Sequence, residues 1–92
     1  MIDLRSDTIT KPCSNMLEAM LKANVGDDVY GEDPTVKQLE KKVCDFFGTE
    51  KSMFFPSGTM ANQTAIKLHT FPGNQVITHK YSHVFNYEGG GG

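Results

Sequence analysis

An α/β architecture is predicted by three features of this chain. Residues 34–47 repeat apolar side chains at helical spacing. Residues 59–69 do the same with smaller residues. Two apolar runs, 52–56 and 75–78, are too brief for helices and are bounded by turn-forming residues. Two strands do not make a stable sheet alone, so further strands are expected from elsewhere.

In chain order, residues 1–11 are polar with isolated apolar positions and read as an extended arm. Ser14 is the candidate cap of a first helix, with Met16, Leu17, Met20 and Leu21 on one face. The run from Asn24 to Asp28 ends it, inside a loop dense in glycine and acid that extends to Pro34. Asp33 followed by Pro34 starts the next helix, the aspartate as cap and the proline at the first helical position. That helix gathers Val36, Leu39, Val43, Phe46 and Phe47 on one side and Lys37, Glu40, Lys41 and Lys42 on a solvated opposite side, and Gly48 closes it. A short buried strand covers 52–56. The helix from Thr59 to about His69 turns Ala61, Ala65 and Leu68 inward, small enough to sit close to a sheet. Pro72-Gly73-Asn74 is a turn, 75–78 a second strand, and the rest loop or a helical turn.

Composition bounds the function. With 92 residues and 38% apolar content, the chain is the size of one domain with a marginal core. A net charge of −2 with interspersed signs gives nucleic acid no basic patch. The apolar runs fall far short of the roughly 20 residues that span a membrane, and the N-terminus lacks the apolar stretch of a secretory leader. Cys13 and Cys44, without a Cys-x-x-Cys pair, suit a reducing cytoplasm, and Asn62-Gln63-Thr64 carries no weight as a glycosylation site in a chain that is not secreted. The four glycines at 89–92 read either as a flexible tail or as a close-approach loop cut through its middle. The size argument favours a truncated chain.

Chemistry concentrates in Phe54-Phe55-Pro56-Ser57-Gly58-Thr59-Met60-Ala61-Asn62-Gln63. A strand, a Ser-Gly-Thr turn and a helix start aim backbone N–H groups and the positive end of a helix dipole at one point, which suits a phosphate. An ordinary corner capped by Ser57 or Thr59 obeys the same rules. His83 follows the second strand, where α/β proteins place ligands, and fits either a ring-stacking or basic role or a plain loop residue. His79 and His83 are four apart, but no His-Glu-x-x-His pattern exists and no metal is expected. Ser6 reads as a site residue or a turn cap, and Tyr30 as a ligand contact or an anchoring aromatic.

Together, Asp3-Leu4-Arg5-Ser6-Asp7-Thr8, the run from Val25 to Thr35, the run from Phe55 to Gln63, and His83 through Gly91 resemble the low-specificity L-threonine aldolases, in order and spacing over essentially the whole chain. That group lies among the β-eliminating lyases with the aspartate-aminotransferase-type fold. The resemblance implies that residues 12–92 begin the large domain of a fold type I enzyme and that 1–11 are its arm. It implies pyridoxal 5′-phosphate as cofactor, with the phosphate on Gly58 and Thr59 and backbone help from Ser57 and Met60. His83 would stack on the ring and orient or deprotonate the substrate hydroxyl. Ser6 would lie near the substrate carboxylate, and Tyr30 would reach the active site of a partner subunit.

The implied reaction cleaves L-threonine or L-allo-threonine, β-hydroxy-α-amino acids, to glycine and acetaldehyde in a cytoplasmic homo-oligomer, a dimer or tetramer. The resemblance covers only the N-terminal part of the family pattern. The Schiff-base lysine, the aspartate on the pyridine nitrogen and the substrate-binding arginines have no counterpart here, and neither Lys67 nor Lys80 takes the lysine's place by motif. These 92 residues alone are therefore expected to be inactive. The alternatives are a non-catalytic truncated or split-gene product that docks on another subunit, and another lyase or transaminase of the same fold.

Overall fold

A computed structural model describes residues 1–88. The glycine run at 89–92 lies outside the described residues. The chain divides into two units, Met1–Ser52 and the residues from Met53 onward.

The first unit opens on the arm, where Asp3 accepts hydrogen bonds from the Arg5 backbone amide and from its guanidinium, with Nη2 at 2.6 Å. The arm is not extended throughout: a 3-10 turn spans Asp7–Ile9. Helix α1 is Ser14–Lys22, and its cap position is Cys13, without a side-chain bond. Ser14 is thus the first helical residue rather than the cap. Helix α2, Pro34–Phe47, begins and ends as its sequence predicts. Asp33 accepts from the amides of Thr35 and Val36, both at 3.0 Å, Pro34 stands in the first turn, and Gly48 closes the helix in the left-handed region at φ 68°.

The α1–α2 loop is pinned on itself. Gly26 N–H donates to Asp33 at 3.3 Å, Glu32 N–H to the Asp27 carbonyl at 2.9 Å, and the Thr35 hydroxyl to the Asn24 carbonyl. A short 3-10 turn, Asp28–Tyr30, sits inside it, capped by Asp27 and closed by Gly31 at φ 67°.

In the second unit, α3 is Gly58–His69 and α4 is the single turn His83–Asn86. The predicted strands do not form. Residues 51–55 and 74–79 form neither helix nor strand, and no strand occurs among the described residues, so the α/β expectation is not realised within them. The physical reason is that a strand exists only within a ladder, and no ladder forms among the described residues.

The expected cores also fail to close. No apolar side chain among the described residues is buried. On α2 the half-buried positions are Val36, Glu40 and Cys44, the Ser52 hydroxyl bonding the Glu40 carbonyl, while Leu39, Val43, Phe46 and Phe47 stay open. On α3 they include Thr59, the predicted Ala61, Gln63 and Ile66, but not the predicted Ala65 and Leu68; Leu68 is 77% exposed. Side-chain pattern names the apolar stripe of a helix, but a stripe is covered only where something packs on it.

Candidate functional site

The start of α3 is set by Ser57. Its backbone is extended (φ −146°, ψ 150°), its Oγ accepts from the Met60 amide at 3.2 Å, and its carbonyl accepts from the Ala61 amide at 3.2 Å. Two of the first four helical donors are thereby satisfied. The other two, on Gly58 and Thr59, have no acceptor among the described residues. A Cβ built on Gly58 meets no atom within 4 Å, so the space at that position is open. Two unpaired N–H groups at the positive end of a three-turn helix fit the phosphate of a phosphorylated cofactor by the chemistry of the donor set. The cap and the two amides without an acceptor among the described residues fall on different residues. Met60, expected to lend its backbone, spends its N–H on Ser57.

His83 is the first residue of α4. Ser82 caps that turn, its Oγ accepting from the Phe85 amide at 3.3 Å. The imidazole packs against Tyr87, with ring centroids 5.3 Å apart and planes inclined by 34°. Its Nδ1 lies 3.1 Å from Oε1 of Glu88, while 62% of the side chain faces solvent.

Glu88 is the buried polar residue of this unit, its side chain wholly out of solvent. Asn62 Nδ2 donates to Oε1 at 2.9 Å and Gln63 Nε2 to Oε2 at 2.8 Å. The Asn62 amide, then that of Gln63, hold the carboxyl below the usual carboxylate range against the opposing effect of desolvation, and His83 adds to the lowering. One ionised carboxylate therefore ties the His83 ring to α3, at the residues that directly follow its first turn.

The remaining predicted site residues, Ser6 and Tyr30, belong to the first unit. Ser6 caps the arm's 3-10 turn, accepting from the Thr8 amide at 3.2 Å and sharing a 2.8 Å hydrogen bond with the Thr8 hydroxyl. Tyr30 ends its turn and is 77% exposed. His79 is engaged locally, its Nδ1 accepting from the Tyr81 amide. Among the described residues no cluster of three His, Cys, Asp or Glu side chains is placed to hold a metal ion, and no helix is long and apolar enough to cross a membrane.

Sequence reasoning passed over Glu88, Asn62 and Gln63. The available signal was an acid five residues beyond a histidine with a one-turn helix between, and two adjacent amides just after a helix start.

Comparison with known proteins bears on this constellation. The model of the family described as beta-eliminating lyase matches residues 3–92. The low specificity L-threonine aldolase of Escherichia coli (strain K12) is 48% identical over 99% of this chain and 27% of its own length. The probable low-specificity L-threonine aldolase 2 of Arabidopsis thaliana is 50% identical over 98% of this chain and 26% of its own. The alanine racemase TOXG of Cochliobolus carbonum is 42% identical over 97% of this chain and 23% of its own. The chain spans about a quarter of the length of the relatives it matches.

Proposed function

The chain belongs to the beta-eliminating lyase family, and from that premise we propose that it forms part of a pyridoxal-phosphate-dependent carbon–carbon lyase of the threonine-aldolase kind. The substrates are β-hydroxy-α-amino acids, L-threonine and L-allo-threonine among them, and the products glycine and an aldehyde. The reading is carried by one observation: the amides of Gly58 and Thr59, which have no acceptor among the described residues, occur in the same unit as an imidazole tied to α3. The printed names of two relatives, both threonine aldolases, supply the reaction class.

In this mechanism the Gly58 and Thr59 amides bind the cofactor phosphate, and the α3 dipole favours its charge. Pyridoxal phosphate, when bound, supplies the electron sink that cleavage at Cα requires. His83 covers the ring face, and Nε2, the nitrogen not turned to Glu88, orients the substrate hydroxyl and receives its proton. Ser6 serves the substrate carboxylate, and Tyr30 the site of a neighbouring subunit in a homo-oligomer. A general base contributes about 10²–10⁴-fold, so replacing His83 slows turnover without abolishing it.

Acetaldehyde and glycine release from both threonine diastereomers, assayed on the product of the complete gene, tests the reading. Release supports it; inversion at Cα without release would replace it with a racemase, the second reading that the TOXG similarity favours. No lysine in these 92 residues takes the Schiff-base position by motif, so borohydride should leave no permanent cofactor absorbance on them.

A further inference from the structure

We infer that Glu88 is a positioning residue for His83: it holds the imidazole in the tautomer with the proton on Nδ1 and leaves Nε2 as the bare nitrogen. The inference rests on the proposed function only for the use to which Nε2 is put; the tautomer follows from the geometry. The Glu88 carboxylate offers acceptors only. A ring nitrogen 3.1 Å from one of its oxygens makes a favourable contact only if that nitrogen carries the hydrogen. In a neutral imidazole the other nitrogen is then an acceptor.

The carboxylate cannot turn away to suit the ring. Asn62 fixes Oε1, the same oxygen that receives His83, and Gln63 fixes Oε2, both from α3. A wholly buried carboxylate is a costly way to fill space, and a residue that served only packing needs no charge there. The three donors converge so that the acid stays ionised and its lone pairs point in set directions. The other titratable groups on the elements packed here are Tyr87, beside the ring, and Lys67 and His69 further along α3. Among the described residues, only Glu88 is hydrogen-bonded to the His83 ring. Because Asn62 and Gln63 follow Gly58 and Thr59 on α3, the same carboxylate also sets the imidazole's station relative to the Gly58 and Thr59 amides.

The tautomer is read directly from long-range ¹⁵N–¹H correlations of the His83 ring, recorded on this chain in mildly alkaline buffer. The proton is expected on Nδ1 in the unaltered chain, and Glu88→Ala should shift the major form to the proton on Nε2. A ring already protonated on Nε2 in the unaltered chain overturns the inference. So does an unchanged tautomer in Glu88→Ala, whatever happens to α3; loss of amide protection along α3 in that case would make Glu88 a staple and nothing more. Should Glu88→Ala not fold, the unaltered chain's spectrum decides alone. Because the readout needs no turnover, absence of acetaldehyde release would sink the aldolase reading and leave this one standing.

Discussion

Gly58 makes no packing contact that a side chain would disturb, so its value lies in its amide and in the open space beside it. That permits a substitution that separates a phosphate cradle from a plain helix start. The residue before it, Ser57, is extended, as the position before a proline must be, and Gly58 is the first helical residue, where proline is favoured. Gly58→Pro should therefore leave α3 as stable as before or raise its stability by about 0.4–1 kcal/mol, the usual gain from a compatible proline. It also removes one N–H. A hydrogen bond to a charged acceptor contributes about 1.5–3 kcal/mol, so affinity for pyridoxal phosphate should fall roughly 10–150-fold. Equilibrium titration with the cofactor checks this, and unchanged affinity would show that the Gly58 amide only opens a helix. Ser57→Ala is the converse: the Met60 amide loses its acceptor, α3 loses about 1 kcal/mol in thermal melts followed by circular dichroism, and both cradle amides survive.

At the scale of elements, α2 and the loop before it depend on one carboxylate. Asp33 is held below the ordinary aspartate range, first by the Val36 amide and then by those of Gly26 and Thr35, with desolvation opposing. Its folded pKa is lowered, so its contribution is present above the unfolded value and is lost as pH falls through the folded one. Amide exchange at Gly26, Thr35 and Val36 should accelerate on acidification below the aspartate range. Asp33→Asn, which keeps an acceptor and a good cap, should abolish that dependence and preserve α2 at neutral pH. Gly26→Ala should open the same loop, because an added Cβ collides with the Glu32 carbonyl.

These ends were readable from sequence because caps are local: Asp33, Pro34 and Gly48 act within a turn of themselves. Residues 52–56 and 75–78 were misread because a strand is a relation between segments, and apolar composition says nothing about whether the partner is present. The candidate site divides the same way. Gly58, Thr59 and His83 are candidates on their local settings alone, whereas Glu88 bonds across 25 and 26 residues of chain, to Gln63 and Asn62, a distance that spacing does not encode.

For the molecule as a whole, surface decides what folding can achieve. The chain has a mass of 10.2 kDa. Size scaling gives such a chain about 14,800 Å² when unfolded and about 5,300 Å² as a compact monomer. No apolar side chain among the described residues is buried, so the chain buries less than a compact domain of that mass does. Isolated helices as short as the nine residues of α1 are marginal in water and rely on packing for persistence, yet Met16, Leu17, Met20 and Leu21 all face solvent. Denaturant sensitivity scales with the surface exposed on unfolding, so the urea m-value should fall below that for compact domains of equal length, with a broad transition. A full-sized m-value would mean that the apolar faces are covered in solution. Repeating the titration at lower chain concentration then identifies the cover: a midpoint that falls on dilution marks self-association of these faces, because only a bimolecular contact is weakened by mass action.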